Sequence, residues 1–157
     1  MKIIYKTGNL INASEKLILH GANAQGVMGS GVALAIRNKY PKAYEDYRNH
    51  FLRYGLKLGD VIFSNNGSIT FANGITQEYY GRDGKQYVDY EAINIVMKKV
   101  NEYCNLNNIT EIAMPLIGAG YGGGDWGIIS EIIEKECTDT QPIVYVIDGK
   151  FLNNEKF

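Results

Sequence analysis

Two glycine-rich stretches constrain this chain more than any other feature. The first is residues 17–33, LILHGANAQGVMGSGVA, and the second is residues 113–126, AMPLIGAGYGGGDW. Each starts as a short apolar run, breaks into glycine, and resumes with helical spacing. Strand, glycine loop and helix in succession let backbone N–H groups close on a phosphate, with the helix N-terminus adding a favourable dipole. Two such loops at the carboxyl ends of strands can grip the two phosphates of one ligand.

The rest of the pattern fits that arrangement. Residues 3–6 read as a strand ended by Gly8-Asn9, and the apolar run 17–19 reads as a strand buried on both faces. Val32, Ile36 and Tyr40 mark a helix beginning near Gly31. Pro41 suits the first turn of a second helix, carried by Tyr44, Tyr47, Phe51 and Tyr54. Two strands, 61–64 and 69–72, flank Asn65-Asn66-Gly67-Ser68, a hairpin signal. Residues 73–85 are polar, contain three glycines and read as an exposed loop. Tyr90, Ile93, Met97, Val100 and Cys104 give a strong helical stripe, 112–117 another buried strand, and Ile129, Ile132, Ile133 and Cys137 the last helix. Residues 143–147 form the final strand, and the tail after Asp148 is polar and expected to fray. Strands alternating with helices, with one hairpin, predict an α/β fold: a mixed sheet covered by helices on both faces.

Composition narrows the function classes. A chain of 157 residues with 45% hydrophobic and 21% charged residues reads as one globular domain without internal repeats or linkers. A net charge of −1 gives no footprint for a nucleic-acid polyanion, so an anionic ligand must be held by local backbone geometry. No apolar run approaches a membrane span and no cleavable signal pattern is present, which implies a cytoplasmic protein. Cys104 and Cys137 lie in helical patterns and read as core thiols. No cluster has metal-ligand spacing, so neither a metal nor a cofactor is expected.

Neither glycine loop is a dinucleotide fingerprint or a P-loop. Singly, each could be a tight turn; as a pair on neighbouring strands they point to a phosphate-bearing ligand. HGANAQGVMGSGVA, PLIGAGYGGGDW and Gly8-Asn9-Leu10 together resemble the macrodomain family, over nearly the whole chain from Ile3 to Asp148. The similarity is greatest to the branch holding ADP-ribose 1''-phosphate phosphatases and terminal ADP-ribose protein glycohydrolases, and to small phage and bacterial proteins ending in GGDW. It implies a three-layer α/β/α sandwich that binds ADP-ribose.

Position by position, the resemblance sets Asn9 and Leu10 beside the adenine, with Asn where many members carry Asp. It sets Asn23 against the distal ribose and wraps Gly29, Ser30, Gly31 and Val32 around one phosphate. Ile117, Gly118, Ala119, Gly120, Tyr121 and Gly122 would wrap the other, with Tyr121 against the distal ribose. His20 matches a histidine of the phosphatase branch, although a histidine closing an apolar run is equally well a satisfied core group. Asp125 is a candidate catalytic carboxylate and equally a helix N-cap. The lysine and aspartate of the glycohydrolase branch fall at Gln77 and Gly122 here, which argues against covalent lysine chemistry. Residues 79–87, YYGRDGKQY, set Arg82 and Lys85 among aromatics and read either as a lid or as an exposed loop. The expected activity is metal-independent removal of the terminal phosphate from ADP-ribose 1''-phosphate by a monomer. The alternatives are release of ADP-ribose from modified protein or nucleic acid, and non-catalytic binding of ADP-ribose.

Overall fold

The computed structural model describes residues 1–147; the polar tail lies outside the described residues. The elements in order are β1 (Ile4–Thr7), a 3-10 turn (Leu10–Asn12), β2 (Leu17–Asn23), α1 (Gly31–Lys39), α2 (Pro41–Tyr54), β3 (Val61–Asn66), β4 (Ile69–Gln77), α3 (Tyr90–Leu106), β5 (Glu111–Met114), α4 (Trp126–Glu136) and β6 (Gln141–Val146). The six strands form one sheet in the order β1-β6-β5-β2-β4-β3. All neighbours are parallel except β3 and β4. That hairpin turns at Gly67-Ser68, with Gly67 at φ +67°, the left-handed geometry a tight two-residue turn demands.

Alternation along β2 shows how the layers form. Leu17 and Leu19 face the core under α3 and α4, with Val96, Met97, Ile129 and Ile133. Ile18 faces the opposite core with Ile36, Ala43 and Phe71, and Ala22 joins Tyr47 and Met28 there. A fully buried Leu or Ile contributes roughly 1.5–3 kcal/mol, so two apolar faces on one strand fix its register firmly. Cys104 and Cys137 are both free and buried, and burial pushes the Cys104 thiol up to about 12. No described helix is long and apolar enough to cross a membrane.

Two strands run further than the sequence pattern predicts. β2 continues past Leu19 through His20, Gly21, Ala22 and Asn23, each paired in parallel with a residue of β4. β4 likewise continues through Asn73, Gly74, Ile75 and Thr76, which the sequence reads as exposed loop but which are buried. The polarity of this segment is compensated inside. The Asn73 amide donates to the Ile62 and Ala43 carbonyls, while Gly74 lets Val96 pack where a Cβ would come within 2.6 Å of it. β5 ends at Met114, one residue before Pro115, whose missing N–H stops the ladder.

Helix starts follow local chemistry. Asp89 caps α3 through the Ala92 N–H at 2.8 Å, and Asp125 caps α4 through the Ile128 N–H at 3.3 Å. Asp125→Ala should therefore lower stability by about 1 kcal/mol, while Asp125→Asn, which caps about as well, should leave it nearly unchanged. Urea midpoints of the two variants check this; equal losses would show that the charge rather than the cap matters.

Candidate functional site

Because β2, β4 and β5 are parallel neighbours, their carboxyl ends open side by side, and a cleft of about 590 Å³ lies there. Ligand sites of open α/β sheets sit at such edges, and the volume suits a nucleotide-sized ligand.

The first wall is the segment joining β2 to α1. Asn23 organises it: its Oδ1 accepts from the Gln25 N–H at 3.0 Å, and its Nδ2 donates to the Val27 carbonyl at 2.8 Å. The Tyr47 hydroxyl donates to the Asn23 carbonyl oxygen at 2.6 Å, and burial pushes that phenol well above its ordinary value. Gly26, at φ +75°, lets the chain pass where a Cβ would fall 2.6 Å from the Phe51 ring. The wall ends at Ser30, the N-cap of α1, which makes no side-chain cap bond. The Leu34 N–H is the first to bond back, to the Ser30 carbonyl at 3.2 Å. The N–H groups of Gly31, Val32 and Ala33 meet no acceptor among the described residues, and all three residues line the cleft.

The second wall follows β5. Ile117 N–H bonds to the Pro115 carbonyl, and Gly124 N–H to the Gly118 carbonyl at 2.8 Å, closing a compact glycine loop. The N–H groups of Gly118, Gly120, Tyr121 and Gly122 meet no acceptor among the described residues. A Cβ at Gly118, Gly122, Gly123 or Gly124 would collide with packed atoms at 2.2–2.8 Å, whereas one at Gly120 would meet nothing within 4 Å. The other glycines here are thus required by packing, and Gly120 alone among these five opens into free space. A Cβ at Gly31 would touch the Tyr121 ring at 3.6 Å, so Tyr121 reaches across from the second wall toward the first.

The floor carries two buried polar groups. His20, 1% exposed, contacts Asn73 Oδ1 through Nε2 at 2.6 Å. Asn73 Nδ2 is committed to two carbonyls, so its Oδ1 faces the imidazole and Nε2 carries the proton; Nδ1 is then a lone-pair acceptor. Neither His20 Nδ1 nor Thr76 Oγ1 has a partner among the described residues. Both residues line the cleft.

His20, Asn23, Gly29, Ser30, Gly31, Val32, Ile117, Gly118, Gly120, Tyr121 and Gly122 are brought together at this cleft. Asn9, Leu10, Ala119 and Asp125 are not among its lining residues. Asn9 instead caps the 3-10 turn through the Ile11 N–H at 3.2 Å, and Leu10 is buried in the core beneath α1. Ala119 packs against the α3–α4 core, and Asp125 opens α4. Thr76, Gln77, Tyr80, Gly81 and Arg82 also line the cleft: Thr76 carries no signal in the sequence, Gln77 enters only through the resemblance, and Tyr80, Gly81 and Arg82 only through the loop 79–87. Among the described residues Arg82 is the one charged residue in the lining, which includes no carboxylate and no lysine from them.

Burial lowers the His20 pKa below its ordinary 6.5, against the bond His20 donates to Asn73 and a backbone interaction at Gly21, which both favour the charged form. The unfolded chain therefore takes up a proton near that value while the folded chain resists, so stability should fall as pH drops through 6.5. Burial alone would raise Glu15 and Asp46, but bonds from Tyr145 and Lys6, and from Lys42 and Ser64, hold both below the ordinary carboxylate range. Their stabilisation is lost only at lower pH. Between about pH 7.5 and about pH 5.5, His20→Gln should lose less melting temperature than wild type; equal losses would show that another group titrates.

The Macro domain family profile matches residues 19–133. A DNA ADP-ribosyl glycohydrolase of Mycobacterium tuberculosis is 25% identical over 155 residues, covering 94% of this chain and 43% of that protein. The chain thus spans less than half the length of that relative. An ADP-ribose 1''-phosphate phosphatase of Candida albicans is 30% identical over 124 residues, covering 74% of this chain and 79% of that one. Among solved structures, the macrodomain of Thermus aquaticus DarG superposes with a TM-score of 0.80 at 23% identity, covering 92% of this chain and 97% of that one. Together with the mixed sheet, the two amide-lined walls and the cleft between them, these matches show that the chain belongs to the Macro domain family.

Proposed function

We propose that the cleft binds ADP-ribose through its diphosphate and that the protein hydrolyses the terminal phosphate of ADP-ribose 1''-phosphate. The observation that carries this reading is the pair of amide rows that meet no acceptor among the described residues, Gly31, Val32 and Ala33 on one wall of the cleft and Gly118, Gly120, Tyr121 and Gly122 on the other. Amides fixed in place before the ligand arrives stabilise anions without reorganising. A diphosphate spans two such cradles, and the distal ribose then lies toward the floor and Tyr121.

In this reading water attacks the terminal phosphorus, the bond from phosphorus to the 1'' oxygen breaks, and ADP-ribose and inorganic phosphate leave. His20 Nδ1 is the acceptor for the proton of the attacking water, held in the correct tautomer by Asn73. Asp125 acts as the cap of α4. Among the described residues no lysine lines the cleft for covalent chemistry. A second reading, release of ADP-ribose from a modified macromolecule, is favoured by the relatives named DNA ADP-ribosyl glycohydrolase. If neither activity is found, the protein is a reader of ADP-ribose.

ADP-ribose should bind in the micromolar range, near 8 kcal/mol, and AMP more weakly; calorimetry without that preference would rule out the two-phosphate reading. Gly120→Glu should abolish ADP-ribose binding at unchanged melting temperature, because the side chain enters free space at the cradle and adds like charge. For the chemistry, His20→Ala should lower turnover of ADP-ribose 1''-phosphate by roughly 10²-fold or more, with ADP-ribose affinity little changed, while Asp125→Asn should stay active. Full activity in His20→Ala would remove His20 from the mechanism, and an inactive, stable Asp125→Asn would restore Asp125 to it.

A further inference from the structure

The loop following β4 supplies a feature that diphosphate binding does not use. It is a built structure rather than a loose connection. The N–H groups of Tyr87 and Val88 both bond to the Gly122 carbonyl, at 2.7 and 3.0 Å, tying this loop to the second glycine wall. Gly81 passes so close to the Tyr87 hydroxyl that a Cβ would fall 2.2 Å from it. The Tyr87 hydroxyl lies 2.9 Å from both carboxylate oxygens of Asp83, which also accepts from the Lys85 N–H at 3.2 Å and sits 3.8 Å from Lys85 Nζ.

The consequence falls on Arg82. Its chain neighbour Asp83 is occupied by Tyr87 and Lys85, and Arg82 pairs with no carboxylate among the described residues. Its guanidinium instead rests over the Tyr121 ring, 5.2 Å from the centroid, and it lines the cleft beside Tyr80 and Gly81. Arg82, Tyr121 and Gly31 thus form a row across the cleft from the tied loop to the start of α1.

We propose that Arg82 is a specificity-determining residue: it takes the anionic group at the distal end of the bound nucleotide and so selects ADP-ribose bearing a terminal phosphate over ADP-ribose itself. The inference rests on ADP-ribose occupying the cleft. A terminal phosphate adds about two negative charges to a diphosphate already held by amides alone. Without a cation, those charges repel each other in a confined site; with Arg82 they meet a planar fork of donors suited to phosphate oxygens. The stack on Tyr121 keeps the guanidinium at the cleft without the desolvation cost of a buried ion pair, so moving to a phosphate breaks only a weak contact.

The test measures affinities for ADP-ribose and for ADP-ribose 1''-phosphate by rapid mixing, before hydrolysis intervenes, in wild type, Arg82→Gln and Arg82→Lys. Wild type should prefer the phosphorylated ligand by about tenfold, the scale of one charge-assisted contact at a partly exposed site. Arg82→Gln should bind both ligands alike while keeping wild-type affinity for ADP-ribose, and Arg82→Lys should keep only part of the preference. Arg82 is exposed, so melting temperatures should not change. A wild type that binds both ligands equally, or an Arg82→Gln that keeps the preference, overturns the role of Arg82 and leaves ADP-ribose binding intact. A wild type that binds neither overturns the binding reading itself, and this inference with it.

Discussion

Parallel pairing of β2 with both β4 and β5 is the constraint on which the rest of the structure depends. Parallel strands leave the sheet at the same edge, so whatever follows β2 and β5 must emerge as neighbours. Both emerge as glycine loops that lead into helices, α1 and α4. Had either strand been antiparallel to the other, the two amide rows would open at opposite ends of the sheet. The diphosphate reading follows from this topology more than from any side chain.

The cost of that arrangement is polarity inside the fold, and the chain offsets it with a few committed amides. Asn73 ties β4 to the carbonyls of Ile62 and Ala43 and fixes the His20 tautomer at once. Asn23 does comparable work for the first loop, with Tyr47 reaching in from α2. An unpaired buried amide costs on the order of 1–3 kcal/mol, so these side chains hold the walls at the spacing a ligand meets. His20 Nδ1 and Thr76 Oγ1 have no partner among the described residues in the same lining, where a ligand hydroxyl or water can satisfy them.

Charge at the site is as notable as its geometry. The chain is nearly neutral, and among the described residues its cleft lining carries one cation and no carboxylate. In the proposed reading, anion affinity is set by backbone dipoles, while discrimination between anions falls to a guanidinium on a loop tied to Gly122. Separating affinity from discrimination in this way lets either be changed by one substitution.

Much of the fold is legible in the sequence because it is encoded locally. Apolar spacing of three and four places α2, α3 and α4, and apolar runs ending in glycine mark both loops, since periodicity and left-handed backbone each leave a residue-level signature. Burial of polar residues leaves none. Residues 73–77 look like an exposed loop because what accommodates them is distant in sequence: the partners of the Asn73 side chain, Ala43, Ile62 and His20, lie 11 to 53 positions away. The same reason separates the two classes of site residue. Gly31 and Gly120 were visible from their own loops, but Arg82 lines the cleft on a loop that Tyr87 and Val88 tie to the distant Gly122, and Asp125 and Leu10 lie outside the lining for equally nonlocal reasons. The sequence determined which apolar segments form helices and buried strands and where glycine turns the chain. Which of them meet was decided by the tertiary structure, because sheet order and long-range hydrogen bonds depend on pairs of residues that no single stretch contains.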